Sequence, residues 1–247
     1  MGESGSCASL PNCQKWKIDQ GDTVFDWKAR TNPFESPEVA AGYEAWYVTS
    51  GRRADRLEKK LLAYLLARFP DARTLLEVGC GSGHFTRWFE EEQGLWTVGL
   101  DTAWSMLREA RSLQTPRLIR ADARDLPFPD RSFDLTVMIT ALEFIHDPAT
   151  ALIEAGRVAR QGLLLGVLNR VSLLAAMRWL QGRLRSTPYS QAVMFSPEEL
   201  ELLVRDELGD RVEAIHWHTT LFPRLFGSMH LPVSWGGFIG MAVHLRP

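Results

Sequence analysis

Cysteine is scarce in this chain of 247 residues: there are three, Cys7, Cys13 and Cys80. An odd number without a repeating spacing excludes a disulfide-stapled secreted scaffold. No Cys or His spacing suits zinc or an iron–sulfur cluster, so no metal is expected. Cys7 and Cys13 fall in a polar N-terminal stretch and read as free thiols without a role. An excess of one charge is also missing. Lys and Arg number 28 and Asp and Glu 30, a formal net charge of -2. Such a balance sets up no field toward nucleic acid, and no nucleic-acid partner is expected. No apolar run approaches the roughly 18 residues that a membrane span needs. The opening MGESGSCASL lacks the basic segment and apolar stretch of a signal peptide. Gly2 and Ser6 formally fit an acylation pattern that is too loose to carry weight. The expected compartment is therefore the cytoplasm. Internal repeats and low-complexity segments are absent as well.

What remains is ordinary globular composition, 45% hydrophobic and 23% charged. The length suffices for one α/β domain with a small appendage. Residues 1–50 read as irregular, with turn signals between aromatics: Trp16, Phe25, Trp27, Phe34, Tyr43, Trp46 and Tyr47. So many rings do not belong to a disordered tail, and they are expected to pack over something. Leu57, Leu61, Leu62, Leu65, Leu66 and Phe69 recur at helical spacing and predict a helix over 55–69, stopped by Pro70. Strands are then expected at 74–79, 96–100, 117–120, 133–140 and 162–168, alternating with helices at 84–93, 104–113 and 148–160. An apolar helix follows at 171–185. Ser196, Pro197 and Glu199 start another helix that runs to about Glu207, and late strands are expected at 212–218 and 238–245. Alternating apolar strands and helices imply a parallel sheet covered on both faces, with ligands bound outside the carboxyl ends of the strands.

The sharpest signal sits at such an end. In LLEVGCGSGHFT (75–86) a strand ends, Gly79, Gly81 and Gly83 follow at alternate positions, and a helix begins. Glycines permit the tight turn and let a ligand approach the backbone, while the helix start offers free N–H groups. A dinucleotide fingerprint is G-x-G-x-x-G. Here the third glycine comes one position early, and His84 stands in its place. Glu77 would repel a pyrophosphate and attract an ammonium group. E-x-G-x-G-x-G therefore suits a nucleoside that bears an amino acid better than NAD.

Two more acids follow strands. Asp101 ends the second strand, where a carboxylate can accept hydrogen bonds from both ribose hydroxyls, or else cap the next helix. Asp122, after the third strand, is placed to reach an adenine amino group or to cap a turn.

VGCGSG, VGLD and ADARDLPFPDRSFDLTVMITALEFIHDP, with the spacing between them, resemble class I S-adenosylmethionine (SAM)-dependent methyltransferases. The branch most resembled is type 11, related to ubiquinone/menaquinone-biosynthesis methyltransferases. The resemblance covers roughly residues 40–170. It implies a Rossmann-like α/β fold: a seven-stranded, mostly parallel sheet with helices on both faces and the last strand antiparallel. It implies SAM as cofactor and S-adenosylhomocysteine as product. Glu77, Gly79, Cys80, Gly81 and Gly83 would hold the methionine part. Asp101 and Thr102 would take the ribose, Met106, Asp122 and Ala123 would face the adenine, and Thr140 would lie beside the sulfonium. Tyr43, Trp46 and Tyr47, followed by Gly51, look like the N-terminal lid of this branch and are candidate acceptor-binding residues. The organisation is then a lid over 1–50 and a SAM-binding domain over 51–247, with apolar inserts at about 170–195 and 220–236. Neither insert carries a recognised substrate motif.

Methyl transfer from a sulfonium mainly requires alignment and exclusion of water, and a base only where the nucleophile arrives protonated. His146 is the first candidate base, with an ordinary packing or turn role as the alternative. Glu143 is the second. His216 and His218 share a strand face without a third ligand, so no metal is read from them, and His84 is read only as a helix start. The 171–185 helix reads as packed on the sheet, as a lid, or as a membrane or partner surface. The aromatic N-terminus and apolar inserts suggest a small, hydrophobic or aromatic acceptor. Two other readings stand beside the active enzyme: a catalytically silent SAM-binding subunit and, less favoured, an NAD-type oxidoreductase. The expected assembly is a monomer or homodimer.

Overall fold

The computed structural model describes residues 32–172 and 192–246. Cys7, Cys13, Trp16, Phe25 and Trp27 lie outside them. Of the helix expected at 171–185 only Val171 and Ser172 are described, and there the chain bends.

Seven strands form one sheet: β1 (Thr74–Val78), β2 (Trp96–Asp101), β3 (Leu118–Arg120), β4 (Phe133–Ile139), β5 (Ala159–Leu168), β6 (Val212–Thr220) and β7 (Phe238–Leu245). Their order is β3-β2-β1-β4-β5-β7-β6. Pairing is parallel from β3 through β5, and β7 runs antiparallel to both β5 and β6. The expected sheet, with its antiparallel last strand, is the one observed.

Side chains alternate between two cores because successive strand residues face opposite sides. Leu75, Leu135, Val137 and Leu164 enter the core under α2 (Arg52–Leu66) and α3 (His84–Glu91). Leu76, Val78, Met138 and Leu165 enter the core under α5 (Pro148–Val158) and α6 (Pro197–Leu208). The α2 stripe is the one read from the sequence: Leu57, Leu61, Leu62, Leu65 and Leu66 are all buried. Each fully buried leucine contributes about 2 kcal/mol of apolar transfer energy. Helix starts follow local chemistry. Ser196 and Glu199 form a reciprocal capping box before α6, and the Asp147 side chain accepts from the Thr150 N–H before α5.

The N-terminal segment departs from expectation. Residues 1–50 were to be irregular, yet Pro33–Glu35 forms a 3-10 turn and Pro37–Val48 forms α1. Apolar residues surround α1 on all sides, so no helical stripe betrays it. Its one sequence mark is the start, where the Ser36 side chain accepts from the Val39 N–H and Pro37 takes the first position.

β2 and β3 lie on one side of β1, and β4 and β5 on the other. The chain reverses its order of strand addition between β1 and β4. In open α/β sheets the crevice outside the carboxyl ends at that point is the ligand site. It is flanked here by the loop 79–83 and the segment 140–144. α4 (Trp104–Ser112) follows β2 on the same side.

Candidate active site

Three positive φ angles shape the loop after β1: 77° at Gly79, 53° at Gly81 and 77° at Gly83. The amides of Gly79 and Cys80 both donate to the Leu100 carbonyl, 2.7 and 2.9 Å away, tying the loop to β2. The three glycines do different work. A Cβ on Gly79 would collide with Ala141, and one on Gly83 with Thr115. Those two are required by protein packing. A Cβ on Gly81 would meet nothing closer than Met106 Sδ and Tyr43 Cε1, each 4.0 Å off. Gly81 alone therefore leaves room for a ligand against bare backbone.

Glu77 is buried at 2% exposure, and its carboxylate accepts from the Thr86 hydroxyl. Burial pushes its pKa from the ordinary 4.5 to about 8, against the pull of the Thr86 hydrogen bond. Asp101 caps the rim of β2. Its Oδ2 accepts from the Gly81 N–H and its Oδ1 from the Ala103 N–H, both at 2.8 Å. Burial raises its pKa, and the amides of Ala103, Gly81 and Thr102 oppose that rise. Asp101 thus fixes the glycine loop to the start of α4. Thr102 beside it is exposed, and Met106 is buried beneath.

Thr140 follows β4 in a left-handed conformation with φ 47°, held by its N–H donating to the Gly166 carbonyl at 2.7 Å. Its side chain hydrogen-bonds that of Tyr43, which also bonds Tyr47. The sequence-predicted Glu77, Gly79, Gly81, Asp101, Met106, Thr140 and Tyr43 are therefore brought together.

Other expectations land differently. The Cys80 thiol is buried against Gly99 and Thr86, part of the packing between loop and β2, and burial raises its pKa. Asp122 is engaged by Arg124 in an exposed ion pair, 2.6 Å at the closest, and the Arg124 hydrogen bond lowers its pKa. Ala123 is buried. Glu143 was a candidate base, but it is fully buried and its Oε1 accepts from the Leu168 N–H at 2.6 Å. It pins β5 to the segment after β4. His146 is exposed, just before α5. Trp46 turns toward Gly51, whose missing Cβ makes space for the indole, and only Tyr43 and Tyr47 face the loop. His216 and His218 pair with other rings, His244 at 5.8 Å and His230 at 5.4 Å between centroids. Among the described residues no three His, Cys, Asp or Glu are grouped to hold a metal ion. No helix among them is long and apolar enough to cross a membrane.

The sequence missed a polar latch that holds α1 down. Glu44 accepts from the Ser82 hydroxyl at 2.7 Å and from Arg87 at 2.6 Å, and lies 3.4 Å from His84 Nδ1. His84 Nε2 meets Asp55 of α2 at 2.7 Å. Burial alone would raise Glu44, but His84, Ser82 and Arg87 hold its pKa at about 2. Farther along, Glu35 accepts from the Trp104 N–H at 3.1 Å, and Phe34 stands edge-on to Phe144 at 5.0 Å. The segment 33–48 thereby spans the crevice from α4 to the turn after β4. Glu44 is the one acid among the rings of YEAWY, the sole signal that marked it.

Residues 76–165 match the family model described as "Methyltransferase domain". The chain is 29% identical over 174 residues to an uncharacterized protein of Methanocaldococcus jannaschii, covering 70% of this chain and 78% of that one. It is 28% identical to ajmaline N-methyltransferase of Rauvolfia serpentina, across 62% of this chain and 56% of the plant enzyme. A solved structure from Thermotoga maritima, titled as a SAM-dependent methyltransferase and possible histamine N-methyltransferase, aligns with TM-score 0.69. That match has 26% identity and covers 84% of this chain and 96% of that one. Residues 76–165 thus carry a methyltransferase domain, on the fold of the SAM-dependent methyltransferases. Its cofactor is SAM, which sets aside the dinucleotide reading.

The methyltransferase's own residues fit that cofactor. A buried Glu77 that keeps its proton to about pH 8 is poised to be ionised by a cation brought beside it, as the ammonium of an amino acid would be. Gly81 leaves its backbone open on the same side.

Proposed function

We propose that this methyltransferase acts on a small acceptor with a large apolar or aromatic part, held between α1 and the β6–β7 insert. The observation that carries the reading is the aromatic pair Tyr43 and Tyr47, edge-on to each other beside Thr140 at the carboxyl end of β4. The insert adds Leu225, Phe226, Met229 and Trp235, all exposed.

In this reading Glu77 takes the ammonium of SAM and the amides of the Gly79–Gly83 loop approach its carboxylate end. Asp101 and Thr102 take the ribose, Met106 and Ala123 flank the adenine, and Asp122 turns from Arg124 toward the amino group. When bound, SAM supplies a methyl on a sulfonium, an already activated leaving group. The protein's part is to hold the acceptor's lone pair in line with that methyl and to keep water out. Tyr43, hydrogen-bonded to Thr140, walls the reacting position. A proton released from the acceptor leaves toward the rim, where His146 is exposed. Glu143 positions the β4 and β5 ends and takes no proton.

The test is turnover of SAM to S-adenosylhomocysteine with a panel of aromatic, aliphatic and strongly polar acceptors, with Asp101→Ala as control. Turnover confined to the apolar members supports the reading. Turnover with a polar metabolite alone sinks it. Binding of SAM without turnover on any acceptor favours a silent subunit.

A further inference from the structure

An open cavity of about 660 Å³ lies at the junction of α1 and α2, lined by Tyr47, Val48, Arg52, Arg53, Asp55 and Arg56. Three guanidiniums thus face one carboxylate, and that carboxylate is already committed. Asp55 lies 2.7 Å from His84 and 3.2 Å from Lys59. Burial raises the pKa of Asp55, yet the contacts with His84 and Lys59 bring it below its ordinary value, so it stays ionised and engaged. Arg53 gives one N–H to the Phe222 carbonyl at 2.9 Å and keeps its other donors. Arg52 and Arg56 meet no carboxylate among the described residues. Uncompensated cations are found around a concave wall whose remaining surface is the Tyr47 ring and Val48.

We infer that this cavity recognises an anionic group, a carboxylate or a phosphate, on the same acceptor whose apolar part lies between α1 and the insert. The planar guanidinium fork matches both anions in paired hydrogen bonds. Position supports the assignment. Tyr47 forms a wall of the cavity and also touches Tyr43, which bonds Thr140 at the carboxyl end of β4. In this inference one acceptor spans from the reacting position past Tyr47 to the arginines. Phe222, whose carbonyl fixes Arg53, opens the β6–β7 insert and packs edge-on to Trp235 with centroids 4.5 Å apart, so the same rim supplies apolar surface. The site selects amphipathic acids and rejects acceptors that carry a cationic amine at that end. The inference rests on the proposed acceptor side and deepens it.

The experiment uses the full chain and three probes that differ only in charge: naphthoate, naphthamide and naphthylmethylamine. Calorimetric titration is expected to give one naphthoate site that weakens with salt, with the neutral amide weaker and the cation not binding. Arg52→Gln with Arg56→Gln should reduce naphthoate affinity about tenfold or more and leave the amide unchanged. Arg52→Glu with Arg56→Glu should invert the preference toward the amine. Equal binding of naphthoate and naphthamide, binding of none of the three, or unaltered naphthoate affinity in both variants overturns the anion site. SAM titration of the same proteins separates the two readings. SAM affinity retained throughout leaves a failure of the anion site standing alone, whereas wild-type protein that binds no SAM defeats the cofactor assignment itself.

Discussion

Tyr47 lies flat on His84, with ring centroids 3.7 Å apart and planes 5° from parallel. One ring belongs to α1 and the other begins α3, so the stack joins the lid to the glycine loop. The same imidazole is held edge-on by Asp55 and Glu44. Burial alone would lower the pKa of His84, but Asp55 and Glu44 raise it above the ordinary 6.5. A group with a raised folded value contributes stability that is complete below pH 6.5 and is lost as pH climbs through the folded value. Docking of α1 should therefore loosen on alkalinisation. Hydrogen exchange of the α1 amides should quicken across that window in the wild type, and His84→Gln should flatten the dependence. An unchanged pH profile in the variant would detach His84 from the latch.

Glu44→Ala removes the acceptor of Ser82 and Arg87 and should cost about 1–2 kcal/mol of stability. SAM affinity should fall with it, because α1 covers the loop. Thermal melts with and without SAM would check both. Loss of stability with no change in affinity would make the latch a packing device only.

Glu77 carries a pH signature of the same sign, starting from a lower pH. Its folded pKa of about 8 exceeds the ordinary 4.5. Stability of the cofactor-free protein attributable to it is full below pH 4.5 and declines as pH rises to about 8. Glu77→Gln keeps an acceptor for Thr86 and carries no charge. The variant should melt higher than wild type without SAM near neutral pH, and the gap should close toward pH 4.5. SAM should bind it about tenfold or more weakly. Equal SAM affinity would free Glu77 from the ammonium role.

Gly81→Ala and Gly83→Ala should fail in different ways. The Gly81 Cβ has space but stands where the proposed reading brings the cofactor, so folding should suffer about 1 kcal/mol while SAM affinity collapses. The Gly83 Cβ collides with Thr115, so stability should drop by about 2–4 kcal/mol. Melting curves paired with SAM titrations distinguish the two.

Glu143→Gln preserves the acceptor for the Leu168 N–H and should retain both stability and turnover. Glu143→Ala leaves that amide unpaired and should cost about 1–3 kcal/mol. A Gln variant that folds but loses turnover with a pH-dependent shortfall would restore the base role set aside above.

The sheet was legible because its strands are short apolar runs bounded by turn residues, and the α2 stripe because leucines recur at helical spacing. α1 was not legible, since apolar residues on every side give no stripe. The latch escaped because its partners are far apart in sequence: Glu44 reaches Ser82 across 38 positions and Arg87 across 43. The glycine loop was read as a unit. Its division into two packing glycines and one with open space beside it depends on Ala141 and Thr115, which only the fold brings near. Glu143 looked like a reactive carboxylate because FDLTVMITALEF gives no hint that Leu168 would claim it.

The β6–β7 insert departs after Thr220 and returns at Phe238, and these two residues are register partners in the hairpin. Its ends are thereby fixed by the ladder and not by its length. Residues can be added, removed or exchanged between them while every strand keeps its partner and the glycine loop after β1, beyond β5 and β4 in the sheet, keeps its own ties to β2. Acceptor choice can diverge here by swapping a cassette, with the cofactor half inherited unaltered.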